Sequence, residues 1–116
     1  MGESKTYSIK SRIWIYTENG TYLGEGRISL LKAIEKHGSI AKAAKDMKMS
    51  YKKAWKLVDS MNNRGDQLLV IRKIGGTGGG GSELSEAGKK AITLFKELRN
   101  SNWKHLDQKI AELDFS

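Results

Sequence analysis

The chain has 116 residues, no cysteine, 21 Lys and Arg against 13 Asp and Glu, and a formal net charge of +8. This length holds one domain, or a small domain with an appended helix, and buries a modest core without disulfides. A disulfide framework and a cysteine zinc site are excluded, two histidines leave no metal cluster, and no apolar run nears the ~20 residues of a membrane span.

The N-terminus, MGESKTYSIKSR, lacks a signal-peptide core, so a cytoplasmic location is expected. Tyr7, Ile9, Ile13 and Ile15 alternate with Lys10 and Arg12, which predicts a one-sided strand from Tyr7 to Thr17. Glu18-Asn19-Gly20 is a turn signal, and Tyr22-Leu23-Gly24 is read as a short second strand. A first helix is expected from near Arg27, with Leu30, Ala33, Ile34 and His37 on one face. Gly38 suits the left-handed position that ends it. His37 has no partner cluster and is read as a packing residue.

Ser39 is placed to cap a second helix whose Ile40, Ala43, Ala44 and Met47 face the core. After a turn through Lys48 and Met49, Ser50 caps the third. At 100° per residue, Ala54, Leu57, Val58 and Met61 fall within about 100° of arc and define its buried side. Lys52, Lys56, Asp59 and Asn63 lie opposite, with Tyr51 and Trp55 on one flank and Lys53 on the other. Trp55 is expected to be partly buried, whereas Tyr51 is evenly balanced between DNA contact and packing.

Leu68 to Ile71 predicts a strand, followed by Arg72, Lys73 and a glycine run, with Ser82-Glu83-Leu84 pairing back. Strand, loose tip and return strand form a wing. Ser85 caps a last helix carrying Ala91, Leu94, Phe95 and Leu98 on one side. Asn100-Ser101-Asn102 is expected to interrupt it before Trp103, Leu106, Ile110 and Leu113 resume the spacing. Such a terminal stripe is expected to pair with its copy in a homodimer, placing two recognition helices on a near-palindromic site.

The expected fold is mainly α with a small β part: a winged helix-turn-helix with an N-terminal strand and a long C-terminal helix. Residues 1–84 form the DNA-binding domain, with the helix-turn-helix at 39–64 and the wing at 68–84. Residues 85–116 form the dimerisation helix.

Charge distribution supports double-stranded DNA as the partner. Residues 42–64 hold Lys42, Lys45, Lys48, Lys52, Lys53, Lys56 and Arg64 against only Asp46 and Asp59, concentrating the chain's surplus in the helix pair. Lysines and an aromatic near a helix N-terminus suit phosphates and base edges.

The run Gly75-Gly76-Thr77-Gly78-Gly79-Gly80-Gly81-Ser82 invites comparison with phosphate-binding loops. The Walker pattern needs a lysine where Gly81 stands. The dinucleotide fingerprint needs a following helix, where a return strand is expected. Carboxylates are scattered, serines lack a histidine partner and metal-ligand spacing is missing. No enzyme activity, cofactor or metal is expected.

The segment SLLKAIEKHGSIAKAAKDMKMSYKKAWKLVDSMN, followed by LLVIRKIGGTGGGGSELSEAG, closely resembles the DNA-binding domain of the ModE-type molybdate-responsive transcriptional regulators. Ser50-Tyr51-Lys52, Ala54-Trp55 and the glycine run carry the specific likeness over about residues 26–99. The looser frame ending in LSEAG is shared with LysR-type regulators. The resemblance implies a dimeric winged helix on operator DNA, with the third helix in the major groove. It makes Ser50, Tyr51, Lys52, Lys53, Trp55 and Lys56 the leading contacts, joined by Ser39 and Lys42 of the second helix. Arg72, Lys73 and the wing glycines Gly76, Gly78 and Gly79 would meet flanking phosphates.

Two departures qualify the likeness. Molybdate-sensing members carry a further C-terminal oxyanion-binding domain, so direct molybdate binding by these residues is not expected. Lys48 stands where the turn usually has glycine, and a left-handed lysine costs about 1 kcal/mol, so a locally different turn is expected. Two other classes compete with the DNA reader. One is a winged-helix protein-interaction module without DNA binding, the other a phosphate-using enzyme.

Overall fold

The computed structural model describes residues 5–73 and 81–115. The elements run β1 (Trp14–Thr17), β2 (Gly20–Gly24), α1 (Glu25–His37), α2 (Ile40–Asp46), α3 (Tyr51–Arg64), β3 (Val70–Arg72), β4 (Ser82–Leu84) and α4 (Glu86–Glu112). This is a mainly α winged helix-turn-helix with two small antiparallel strand pairs, β1–β2 and β3–β4. Leu30, Leu31, Ile34, Met61, Leu69 and Phe95 are the large side chains at its centre. They come from α1, α3, the approach to β3, and α4, so the core ties the helix-turn-helix to the base of the wing. The molecule measures 69 × 29 × 21 Å, and α4, at about 40 Å for 27 residues, extends well past that core;.

Several boundaries differ from the pattern read in the sequence. The first strand starts at Trp14, not Tyr7, because its partner ends there: Trp14 pairs with Gly24, and α1 begins at Glu25. Residues upstream of Trp14 instead contact α4 and the segment that follows it. Asn102 Nδ2 donates to Ser11 Oγ at 3.0 Å and Trp103 Nε1 to the Ser11 carbonyl at 3.2 Å. Tyr7 stacks on Phe115 with ring centroids 5.0 Å apart. These contacts explain why α4 runs uninterrupted through Asn100-Ser101-Asn102. Asn102 faces the N-terminal arm, while Asn100 and Ser101 stay exposed on the unbroken helix.

α1 starts two residues earlier than expected, and β3 is shorter, with Leu68 left exposed and Leu69 buried. The apolar side of α4 is narrower than its spacing suggests. Ala91 and Phe95 are buried, while Leu94 and Leu98 keep 46 % and 51 % of their surface.

The α1–α2 junction and the turn of the helix-turn-helix each use a left-handed residue. Gly38 has φ 73° and closes α1 through its N–H to the Ile34 carbonyl at 2.8 Å. Lys48, at φ 56°, adopts the conformation a glycine would take, so the turn is not locally different. Lys48 N–H donates to the Lys45 carbonyl at 3.1 Å and Met49 N–H to the Ala44 carbonyl at 3.0 Å. Those two bonds satisfy carbonyls at the end of α2 and offset a strain of about 1 kcal/mol.

Candidate nucleic-acid interface

The outward side of α3 follows from where its buried side points. Ala54, Val58 and Met61 are buried and Leu57 is half-buried, which turns Lys52, Lys56, Asp59 and Asn63 to solvent. Ser50 caps the helix by accepting the Lys53 N–H at 3.0 Å, and Ser39 caps α2 by accepting the Lys42 N–H at 3.0 Å. Both hydroxyls retain a proton to donate, so a serine cap does not exclude a phosphate contact. The N-terminal half of α3 carries the lysines. Asp59 sits farther along, held by Asn63 Nδ2 at 3.1 Å. Positive charge therefore gathers at the end where the helix dipole already favours anions.

The two flanks of α3 face different structures. Tyr51 and Trp55, 54 % and 47 % exposed, turn toward the wing. With Ser39, Ile71, Arg72 and Ser82 they line a groove of about 560 Å³ between α3, the start of α2 and the wing strands. Trp55 is thus partly buried, as expected, with about half of its surface left open to the groove. Lys53 lies on the opposite flank, in a smaller hollow with Trp14, Arg27 and Leu57. Lys42, Arg72 and Lys73 are exposed. Gly76, Gly78 and Gly79 lie outside the described residues.

One cation counted with the basic cluster does not belong to this face. Arg64 Nη1 donates to the Thr21 carbonyl at 2.8 Å, fastening the end of α3 to β2. Arg27 likewise hydrogen-bonds Ser60 Oγ. Burial, and then the charge of Arg64, lower the Arg27 pKa from the usual guanidinium value. Arg64 thus holds the hairpin against α3, and Arg27 holds α1 against the same helix.

The spacing of groove walls depends on residues that sequence reasoning missed. Asn62 Oδ1 accepts the Leu69 N–H at 2.8 Å and the Val70 N–H at 3.1 Å, while its Nδ2 donates to the Val70 carbonyl at 3.0 Å. One side chain thereby fixes β3 to α3. On the other strand, Ser82 N–H donates to the Gly38 carbonyl at 2.9 Å, and Lys73 N–H to the Gly81 carbonyl at 2.9 Å closes the wing base. The available signal was an asparagine beside the apolar stripe of an otherwise amphipathic helix.

Asn62→Ala removes all three bonds and leaves β3 groups unpaired, a cost of about 1–3 kcal/mol. The thermal midpoint is expected to fall by roughly 10 °C, read by circular dichroism. Asn62→Asp, which keeps the acceptor alone, should fall between. An unchanged midpoint in the alanine variant would remove Asn62 from this role.

Among the described residues, no group of three or more His, Asp or Glu side chains is arranged to hold a metal ion. No described helix is long and apolar enough to cross a membrane.

No protein-family model matches the chain. Individual relatives do. It is 41 % identical over 98 residues to the molybdenum transport protein ModE of Azotobacter vinelandii, covering 84 % of this chain and 36 % of that protein. It is 44 % identical over 81 residues to the DNA-binding transcriptional dual regulator ModE of Escherichia coli, covering 70 % and 31 %. The molybdenum-pterin-binding protein MopA of Rhodobacter capsulatus is 43 % identical over 84 residues, covering 72 % and 32 %. The chain spans about a third of the length of these relatives. Over that shared third, it belongs to the ModE-type transcriptional regulators.

Proposed function

We propose that this chain is a sequence-specific DNA-binding transcriptional regulator that acts in the cytoplasm as a homodimer. α3 enters the major groove of an operator, and the wing follows the flanking backbone. The observation that carries this reading is the lysine-rich, solvent-facing N-terminal half of α3, set beside a groove walled by the base of the wing. Ser39, Lys42, Ser50, Lys52, Lys53 and Lys56 are the proposed phosphate and base contacts from the helices, with Arg72 and Lys73 on the flanking backbone. The description of the Escherichia coli relative as a DNA-binding transcriptional dual regulator supports the same role.

Residues 85–116 supply the dimer contact in this reading. Leu94 and Leu98 are exposed one turn apart on α4. Water-exposed leucines at this spacing favour a helix-to-helix contact with a second copy.

The test is duplex binding followed by fluorescence anisotropy. Lys52 and Lys56 are exposed and, among the described residues, make no side-chain hydrogen bond or ion pair, so Lys52→Ala and Lys56→Ala should each weaken binding about tenfold while leaving the thermal midpoint unchanged. Unaltered affinity in both variants would remove this face from DNA. A protein without salt-sensitive duplex binding would be an interaction module instead.

A further inference from the structure

Lysines on the outer ridge of α3 account for attraction to phosphate, but not for the two rings beside them. Tyr51 and Trp55 are an i, i+4 pair on the first two turns, each about half exposed. Among the described residues, neither the Tyr51 hydroxyl nor the Trp55 indole N–H has a hydrogen-bond partner, and the two rings do not stack on each other. Their apolar surface stays in water, where it is unfavourable by about 25 cal/mol per Å² relative to burial. Ile71, on the opposite wall of the groove, adds apolar surface, and Arg72 supplies charge at its edge.

We propose that Tyr51 and Trp55 read thymine by packing against its C5-methyl group, on the strand that passes between the recognition helix and the wing. This rests on the DNA-binding function proposed above and deepens it from binding to base preference. The thymine methyl is the one apolar group that distinguishes bases in the major groove, and it is read by apolar contact rather than hydrogen bonding. The ridge of Lys52 and Lys56 lies beside the rings, so phosphate contacts set the depth at which the rings meet base edges. Ring surface, not the Tyr51 hydroxyl, carries the preference.

The test begins by enriching bound duplexes from a random library with the full chain. The enriched duplex is then compared with the same duplex in which uracil, lacking the methyl, replaces thymine. Wild-type protein should bind the thymine form about fourfold more tightly per contacted methyl, the ratio equivalent to ~0.8 kcal/mol. Trp55→Ala and Tyr51→Ala should lose that preference, whereas Tyr51→Phe should keep it. Equal wild-type affinity for the two forms overturns the proposal without requiring any variant. So does a preference that survives Trp55→Ala, or equal binding to the corresponding single strand, which would assign the rings to base stacking. Salt-sensitive duplex binding without thymine preference refutes this proposal alone. Absence of salt-sensitive binding refutes the DNA-binding function as well.

Discussion

Replacing Gly88 with alanine should lower the thermal midpoint by roughly 10 °C, although alanine is ordinarily the better helix former by about 1 kcal/mol. Gly88 lies in the first turn of α4, where that helix crosses the entry to β3. A β-carbon built on it would sit 2.2 Å from the Leu69 carbonyl oxygen and 3.1 Å from the Leu69 carbonyl carbon. Both are backbone atoms, so no side-chain rotation relieves the overlap. The helix or the strand must move, at about 1–3 kcal/mol for overpacking of this kind.

The same carbonyl is a junction. It accepts the Ser85 N–H at 2.9 Å and lies 3.3 Å from Ser85 Oγ, which also donates to the Leu68 carbonyl at 2.6 Å. Ser85 in turn caps α4 by accepting the Gly88 N–H at 3.0 Å. Displacing Leu69 therefore strains the cap of α4 and the root of the wing together. Gly26→Ala is the control: it is helical and exposed, and its added carbon meets nothing within 4 Å. Its midpoint should hold or rise. Equal stability of wild type and Gly88→Ala would show that the strand yields at little cost.

This junction shows what the sequence could and could not convey. Local signals were legible because they depend on neighbours in the chain. Ser39, Ser50 and Ser85 cap the helices they precede, Gly38 ends α1, and the apolar arc of α3 points inward. The closing serine and glycine of LSEAG were visible as a motif, but Gly88 needs its small size only because Leu69 arrives from nineteen residues away. Asn62 and Arg64 hold partners seven or more residues distant, so helical periodicity does not reveal their bonds. The start of β1 was hidden for a similar reason: alternation marks strand propensity, whereas strand length depends on how far the partner extends.

Raising salt from 50 to 200 mM should weaken duplex binding by about 10³–10⁵-fold, the largest effect expected of the proposed function. Each phosphate neutralised by lysine or arginine releases condensed counterions and steepens log affinity against log salt by about 0.9. Lys42, Lys52, Lys53, Lys56, Arg72 and Lys73 are exposed. Two copies engaging three to five of these each make roughly 6–10 contacts, the number that produces a loss of this size. Lys52→Ala should reduce the slope by about 1 per protomer, without relaxing base preference. Arg64→Ala is the discriminating comparison. A count of charges along residues 42–64 includes Arg64 among the DNA-facing cations, but its guanidinium is occupied by Thr21. That variant should lose stability and leave the salt slope unchanged. If Arg64→Ala flattens the slope as much as Lys52→Ala while the hairpin stays intact, the duplex lies across the end of α3 rather than along its N-terminal half. An almost salt-independent affinity would show that the exposed lysines do not meet phosphate.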